Sequence, residues 1–167
     1  VTAFRPVEDG IDVVLKSGLV LQVDMVLLSI GVRPDVKLAR EAGLEIGETG
    51  GIKVNEFLQT SHSDIYAVGD AIEFPNPVSG RPSLAFLAGP ANKQGRICAD
   101  NVVNGNHQKY RGSISTAIAK VFDLTVGATG LSAKMLDRLQ IPYKEAIVHG
   151  ASHAGYYPGA IMMDIKI

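Results

Sequence analysis

The alternation of hydrophobic and polar positions predicts short strands at the start of the chain. Residues 1–4, 11–16 and 19–23 follow this pattern, with turns at Asp9-Gly10 and Ser17-Gly18 between them. Residues 25–30 are apolar on both faces, which favours a central strand ended by Gly31 and Pro34. The chain is therefore expected to open with an antiparallel meander followed by one buried strand.

Helical and strand patterns alternate in the middle of the chain. Residues 35–42 suit a short helix, with Asp35 as its N-cap and Gly43 as its left-handed stop. Residues 52–54 alternate as an edge strand does, and residues 65–68 form an apolar run typical of a buried parallel strand. A longer helix is predicted from about Pro90 to residue 104, with Gly105 ending it. The prolines between residues 75 and 82 predict an irregular loop.

The last third of the chain changes in composition toward small and β-branched residues. A strand is expected within residues 114–126, a helix capped by Ser132 up to about residue 140, and two strands at 143–149 and 161–167. The whole pattern predicts α/β organisation followed by an α+β segment.

Composition excludes several classes of function. The formal net charge of −1 gives no electrostatic reason to expect nucleic acid or an anionic membrane. No apolar run reaches the roughly 20 residues that span a bilayer. The single cysteine cannot form an internal disulphide, which favours a reducing, cytoplasmic setting. The histidines are scattered without the spacing of a metal site.

The chemistry is concentrated where the apolar run at 65–68 stops at Gly69-Asp70. Glycine lets the backbone approach a ligand closely, and the carboxylate can accept hydrogen bonds from sugar hydroxyls. The carboxyl ends of strands are also where open α/β sheets bind nucleotides. This position is therefore the first candidate for a nucleotide site.

Three segments of the sequence resemble one enzyme family. Thr60 followed by Asp-Ile-Tyr-Ala-Val-Gly-Asp at 64–70 is similar to the second FAD-binding motif of the pyridine nucleotide-disulphide oxidoreductases. The segments Leu-Ala-Gly-Pro-Ala-Asn-Lys-Gln-Gly-Arg at 87–96 and Lys-Val-Phe-Asp-Leu-Thr-Val at 120–126 resemble the coenzyme A-disulphide reductase and NADH oxidase branch. The resemblance implies a redox flavoprotein that uses FAD and NAD(P)H.

The resemblance also implies a domain order. Residues 1–34 correspond to the end of an NAD(P)H-binding domain, 35–109 to the C-terminal part of an FAD-binding domain, and 110–167 to an incomplete dimerisation domain. Neither the N-terminal redox cysteine of the family nor its Gly-x-Gly-x-x-Gly motif occurs in this sequence. The chain is therefore interpreted as a fragment, and the parent protein as a homodimer.

The resemblance assigns cofactor contacts to Gly69 and Asp70, the latter on the ribityl chain of the flavin. It places the isoalloxazine near the N-terminus of the helix at Pro90, with Leu87, Ala88 and Ala91 as candidate contacts. The positive end of a helix dipole suits a flavin that becomes anionic when it is reduced. The alternative is an ordinary core helix with a hydrated N-terminus.

Substrate contacts are assigned to Asn92 and Arg96, which are four residues apart on one helical face. By resemblance they help to hold a coenzyme A phosphate or pantetheine across the dimer. The alternative is a solvated helix face or an ion pair with the partner subunit.

The loop His-Ala-Gly-Tyr-Tyr-Pro-Gly at 153–159 supplies the catalytic candidates Tyr156, Tyr157 and His153. In coenzyme A-disulphide reductases a similar loop reaches the active site of the partner, where a tyrosine hydroxyl stabilises the departing thiolate. The alternative is packing of both tyrosines at a subunit interface. Cys98 lies mid-helix among apolar neighbours and is expected to be structural.

The leading hypothesis is thus a fragment of an FAD-dependent enzyme that reduces coenzyme A disulphide or a related small disulphide. Within the same family, an NADH oxidase or peroxidase is the alternative. A different class is a non-catalytic dimerisation module, which would be colourless and dimeric when purified, whereas a flavin-binding chain would be yellow.

Overall fold

The computed structural model of the protein describes all residues from 1 to 167 and contains ten strands and three α-helices. The chain forms two compact units, Val1–Arg33 and Pro34–Ile167. Each unit has sheets of its own.

The first unit is a three-stranded antiparallel meander. Its strands are β1 (Ala3–Val7), β2 (Gly10–Val14) and β3 (Val20–Val23), in the order β1-β2-β3. Gly10 has a φ of +136°, and a Cβ at this position would lie 2.6 Å from the carbonyl oxygen of Val23, so only glycine fits this turn. The three strands predicted from alternation are confirmed, with β1 extending further than expected.

The strand predicted at residues 25–30 is wrong. These residues are irregular and pair with no strand, and Met25, Leu27 and Ile30 are 78%, 84% and 88% exposed. A strand needs a neighbour to satisfy its backbone N–H and C=O groups, and the last ladder of this unit, β2-β3, ends at Val23. The apolar composition favours burial of this segment, but no strand of the chain pairs with it.

The second unit begins with α1 (Lys37–Glu41), which is shorter than the predicted helix. Asp35 still acts at its start, because its Oδ1 accepts a hydrogen bond from the backbone N–H of Lys37 at 3.2 Å. Gly43 has a φ of +77° and donates its N–H to the carbonyl of Arg40, which confirms the left-handed stop.

A small mixed sheet follows, formed by β4 (Ile52–Lys53), β5 (Ile72–Pro75) and β6 (Pro82–Ser83). Strand β4 runs parallel to β5 at the sheet edge, as its alternation predicts, and β6 pairs antiparallel with β5. The proline-rich segment is thus the tip of a hairpin. Asn76 fixes that tip by accepting hydrogen bonds from the N–H groups of Val78 and Ser79.

The helix predicted from Pro90 is present as α2 (Ala88–Asn104), and Gly105, with a φ of +81°, ends it as expected. It packs on the sheet through one apolar cluster of buried residues, namely Leu58, Ile72, Phe74, Ala85, Ile97 and Tyr110. Burial of this cluster is the main source of stability for the site described below.

The buried strand predicted at residues 65–68 is wrong. Only Tyr66 pairs, in a single bridge to Gln59, and the strand of this region begins after Gly69-Asp70 instead of before it. Residues Gly69–Ala71 form one turn of 3₁₀ helix that leads into β5. The N–H of Ala67 also donates to the carbonyl of Leu58, and the N–H of Thr60 donates to the carbonyl of Ile65, but this pairing is too short to form a strand.

The remaining elements are two antiparallel hairpins and one helix. They are β7 (Ala117–Val121), β8 (Leu124–Ala128), α3 (Ala133–Leu139), β9 (Ile147–Ala151) and β10 (Met162–Lys166). The two strands predicted at 143–149 and 161–167 are confirmed with shifted ends, whereas the single strand predicted within 114–126 is a hairpin of two strands, β7 and β8. Ser132 caps α3 by accepting a hydrogen bond from the N–H of Met135. None of the helices has the length and apolar character that crossing a bilayer requires.

Candidate functional site

The turn at Gly69-Asp70 is held in a backbone conformation that suits glycine. Gly69 has a φ of +83°, in the left-handed region that residues with a Cβ rarely adopt. No atom lies within 4 Å of the place where a Cβ of Gly69 would be, so this side of the turn is open. The side chain of Asp70 is exposed. Open backbone and an exposed carboxylate therefore lie side by side.

The turn is tied to helix α2 by a buried glutamine. The Oε1 atom of Gln94 accepts a hydrogen bond from the backbone N–H of Gly69 at 2.7 Å. Gln94 is only 1% exposed, so this bond does not compete with solvent. The bond fixes Gly69 relative to the first half of α2.

The N-terminus of α2 offers hydrogen-bond donors. Leu87 precedes the helix in an extended conformation with a φ of −140°, and no side chain caps the first turn. The N–H groups of the first turn of a helix have no partner within the helix, and Pro90 has no N–H at all. Ala88 and Gly89 are exposed, so their N–H groups are available to a ligand. With 17 residues, α2 is long enough for a positive partial charge at this end.

The other candidates on α2 face outward. Asn92 and Arg96 are exposed, and neither forms an ion pair. Ala91, which precedes them, is half-buried. The spacing predicted that Asn92 and Arg96 share a face, and both are free to meet a ligand or a partner there.

The tyrosine loop, defined as residues 153–159, connects β9 to β10. The rings of Tyr156 and Tyr157 lie 4.8 Å apart, and that of His153 lies 6.4 Å from Tyr157. Tyr156 and Tyr157 are 84% and 59% exposed, which is unusual for aromatic side chains without a partner. No hydrogen bond, ion pair or ring contact joins this loop to the turn at Gly69-Asp70. The structure thus brings the three catalytic candidates together but does not connect them to the cofactor candidates.

Cys98 is half-buried against the apolar cluster behind α2. Burial raises the pKa of its thiol, which lowers the fraction of reactive thiolate at neutral pH. This environment suits a packing residue, as expected from the sequence.

Tyr110 also lies in that cluster, where its ring packs edge-on against Phe74 at 5.4 Å. Burial raises the pKa of its phenol, and the neighbouring Gln94 side chain lowers it by a smaller amount. The hydroxyl of Tyr110 is nevertheless buried without a partner at hydrogen-bond distance and angle. Gln94 and Tyr110 thus form a polar pair behind the turn, inside an apolar core.

One large cavity, of about 1050 Å³, lies elsewhere in the second unit. It is lined by α3, the hairpin β7–β8 and the end of β10, and none of the candidate site residues contributes to it. No group of three His, Cys, Asp or Glu side chains could hold a metal ion.

Gln94 is the functional candidate that the sequence reasoning missed. The buried residues of α2 are Gln94, Ile97 and Asn101, so two amides share the spacing of the apolar face. Polar residues at core positions of an amphipathic helix are costly unless they are hydrogen-bonded. The spacing of Gln94 and Asn101 with Ile97 could therefore have predicted that both amides are buried and hydrogen-bonded.

The residues around Gly69-Asp70 fit FAD. The Asp70 carboxylate can accept hydrogen bonds from ribityl hydroxyls, and the uncapped N-terminus of α2 can donate to carbonyl oxygens of the pyrimidine ring. The space beside Gly69 leaves room for the approach. In contrast, residues 1–33 contain no Gly-x-Gly-x-x-Gly turn to cradle a pyrophosphate, so no residue here is assigned to NAD(P)H.

Comparison with known proteins places these features in context. A solved structure of reduced Bacillus anthracis CoADR-RHD is 52% identical, with a TM-score of 0.87, over 93% of this chain and 28% of that one. A NAD-dependent persulfide reductase from A. fulgidus is 37% identical, with a TM-score of 0.88, over 96% of this chain and 30% of that one. An NADH oxidase of Methanocaldococcus jannaschii is 35% identical over 96% of this chain.

The chain spans about a third of the length of the curated relatives that it matches, 35% for the oxidase. The sequence profile described as pyridine nucleotide-disulphide oxidoreductase matches residues 1–95, which is more than half of the chain. The mixed α/β character of the chain agrees with that match. The chain therefore belongs to the pyridine nucleotide-disulphide oxidoreductases, the family of enzymes that use FAD and NAD(P)H.

Proposed function

We propose that this chain is the later part of a flavoprotein that reduces coenzyme A disulphide with NAD(P)H. The observation that carries the proposal is the Gly69-Asp70 turn bonded through Gln94 to the uncapped N-terminus of α2. The 52% identity with CoADR-RHD supports the coenzyme A branch of the family. The overall reaction consumes one disulphide, one NAD(P)H and one proton, and releases two coenzyme A thiols and NAD(P)⁺.

Bound FAD would supply the relay that accepts a hydride from NAD(P)H and passes two electrons to a redox cysteine outside this sequence. Asp70 orients the ribityl chain, and Gly69 lets the backbone approach it. Leu87, Ala88 and Ala91 border the ring, where the N-terminal N–H groups of α2 stabilise negative charge. The fixed dipoles of the helix need no rearrangement when that charge develops.

The tyrosine loop acts on the partner subunit in this proposal. Its two exposed tyrosines and His153 are chemically able to donate a hydrogen bond to a departing coenzyme A thiolate. Asn92 and Arg96 hold a phosphate or the pantetheine arm. The homodimer forms through residues 110–167, whose strands expose many apolar side chains.

The proposed domain order keeps residues 1–34 in the NAD(P)H domain, 35–109 in the FAD domain and 110–167 in the dimerisation domain. A cytoplasmic setting is proposed as well, because the only cysteine is unpaired and the substrate is a disulphide to be reduced.

Anaerobic oxidation of NAD(P)H tests the function directly. The full-length protein that contains this sequence is expected to oxidise NADH or NADPH rapidly with coenzyme A disulphide as the only acceptor. Free thiol should appear at two equivalents per nicotinamide oxidised. A persulphide in place of the disulphide serves as the comparison acceptor. Turnover only after air or peroxide is admitted would contradict the proposal.

That last outcome is the prediction of the second candidate, an NADH oxidase. The 35% identity with the Methanocaldococcus jannaschii NADH oxidase is the observation that favours it. The FAD contacts are then unchanged, and the tyrosine loop is an interface segment only.

The variants Tyr156→Phe and Tyr157→Phe separate these roles. At least one of them is expected to lower kcat with coenzyme A disulphide by about 10²-fold, because it removes the donor to the leaving thiolate. The rate of flavin reduction by NAD(P)H, measured in a stopped-flow instrument, should not change. Equal kcat values for both variants and the wild type would leave the loop without a catalytic role.

A further inference from the structure

We propose that Gln94 is a positioning residue for FAD, which sets the Gly69-Asp70 turn at a fixed place beside the N-terminus of α2. This inference rests on the proposed flavin site and adds a residue to it. The role does not require Gln94 to touch the cofactor. It requires Gln94 to hold the Gly69-Asp70 turn and the N-terminus of α2 in a fixed relative position from the buried side of the turn.

The geometry supports one specific contact. The hydrogen bond from the N–H of Gly69 to Oε1 of Gln94 is 2.7 Å long and joins residues 25 apart in sequence. Gly69 precedes the carboxylate candidate, and Gln94 lies in the second turn of the helix whose first turn faces the ligand. A movement of Gly69 relative to α2 therefore has to break this bond.

Burial makes the bond strong. Gln94 is 1% exposed, and the N–H of Gly69 has no backbone acceptor. The loss of the acceptor would leave this amide without a protein partner, which favours another conformation of the turn. Glycine adopts both signs of φ freely, so the φ of +83° does not by itself hold Gly69 in place, and the bond to Gln94 supplies that restraint.

The polar pair behind the turn indicates that Gln94 is not simply filling space. The hydroxyl of its neighbour Tyr110 is buried without a hydrogen-bond partner, and the ring of Tyr110 packs on the ring of Phe74. An apolar residue at position 94 would avoid burying an amide, but it would leave the N–H of Gly69 without its acceptor. The sequence instead carries an amide there, and its acceptor oxygen is directed to the backbone N–H of Gly69 in the flavin motif.

Two substitutions and one control test this role in the FAD-bound protein. Gln94→Met keeps the length and volume of the side chain but removes the acceptor. Gln94→Glu keeps an acceptor oxygen at the same distance. The control Asn101→Leu removes another amide that is 1% exposed, two turns further along the same face of α2, and its bonds go to loops away from the turn.

FAD retention and exchange of the Gly69 amide are the readouts. In Gln94→Met, the dissociation constant for FAD should rise about tenfold and the Gly69 amide should exchange with deuterium faster. Gln94→Glu should retain FAD like the wild type at acidic pH, where its buried carboxyl is neutral and keeps an acceptor oxygen. Asn101→Leu should unfold at lower temperature yet retain FAD with the affinity of the wild type.

The result that overturns the inference is equal FAD affinity for Gln94→Met and the wild type while the Gly69 amide exchanges faster. Loss of FAD from Gln94→Glu as great as from Gln94→Met also overturns it when the loss persists at acidic pH, where the buried carboxyl is neutral and still offers an acceptor oxygen, because the acceptor would then not matter. A wild-type protein that binds no FAD would refute the proposed function itself. If Gln94→Met does not fold, Gln94→Asn replaces it, because its shorter amide cannot reach the N–H of Gly69. The same rise in the dissociation constant is then expected, and an FAD affinity equal to that of the wild type overturns the inference.

Discussion

Replacing Asn101 with leucine is expected to lower the free energy of unfolding by about 2–4 kcal/mol, which is a large part of the stability of a small domain. Asn101 is 1% exposed and uses both ends of its amide. Its Nδ2 donates to the carbonyls of Phe57 and Gln108 at 3.0 and 2.9 Å. Its Oδ1 accepts from the N–H groups of His107 and Gln108 at 3.2 and 2.9 Å.

The size of this loss of stability depends on the backbone groups that Asn101 leaves without a hydrogen-bond partner. Leucine fills a similar volume, so no large cavity opens, but two carbonyls and two N–H groups lose their partner at once. Water can replace those bonds at the exposed residues 107–108, which limits the loss, but less easily at Phe57, which is half-buried. The end of α2 and the segment at residues 56–58 should therefore separate first.

Urea unfolding followed by circular dichroism measures this change. The control is Val103→Ala on the same helix, because Val103 is 80% exposed and its loss should change the free energy of unfolding by less than about 0.5 kcal/mol. A midpoint for Asn101→Leu equal to that of the control would contradict the importance of the network.

The role of Asn101 illustrates what the sequence could predict and what it could not. The bounds of α2, its stop at Gly105 and the cap at Ser132 follow from local chemistry, since glycine, proline and serine act on their own neighbours in sequence. The partners of Asn101 are 44 and 7 residues away, so no local rule identifies them. The same holds for the bond from Gly69 to Gln94.

The two wrong strand predictions have a common physical cause. Residues 25–30 and 65–68 have the apolar composition of buried strands, but the first segment pairs with no strand and the second makes only an isolated bridge to Gln59. Hydrophobicity expresses a tendency to be buried, whereas a strand also needs a ladder of hydrogen bonds from another segment. The motif at Gly69-Asp70 could still be located from sequence, because it depends on residue types and not on that ladder.

For the tyrosine loop, the sequence could predict the candidate residues but not their position relative to the flavin motif. Its residues could be singled out from the sequence, because paired aromatics beside glycine and proline are costly to expose. Their ring contacts are local and are seen in the structure. Their relation to the flavin motif depends on a second subunit in the proposed function, so neither the pattern nor a single chain could define it.

Replacing Asp70 with alanine is expected to weaken FAD binding by about 10- to 150-fold. The carboxylate would make a charge-assisted hydrogen bond to the ribityl chain, and such a bond contributes about 1.5–3 kcal/mol. Asp70 is exposed and lies in the 3₁₀ turn that the bond to Gln94 holds in place. The side chain of Asp70 is therefore free to contact a ligand, whereas the backbone of the turn is held in a fixed position.

Because the carboxylate of Asp70 accepts no hydrogen bond within the chain, the variant should lose affinity without losing stability. The thermal unfolding of apo-protein should be unchanged, while the flavin absorbance that remains after dialysis should fall. Asp70→Asn should lie between alanine and the wild type, since it keeps an acceptor oxygen but no charge. The matched control is Asp100→Ala, an exposed aspartate on the second half of α2. Full flavin occupancy in Asp70→Ala after dialysis would show that the carboxylate does not hold the cofactor. The N-terminus of α2 would then be the main candidate for the flavin contact.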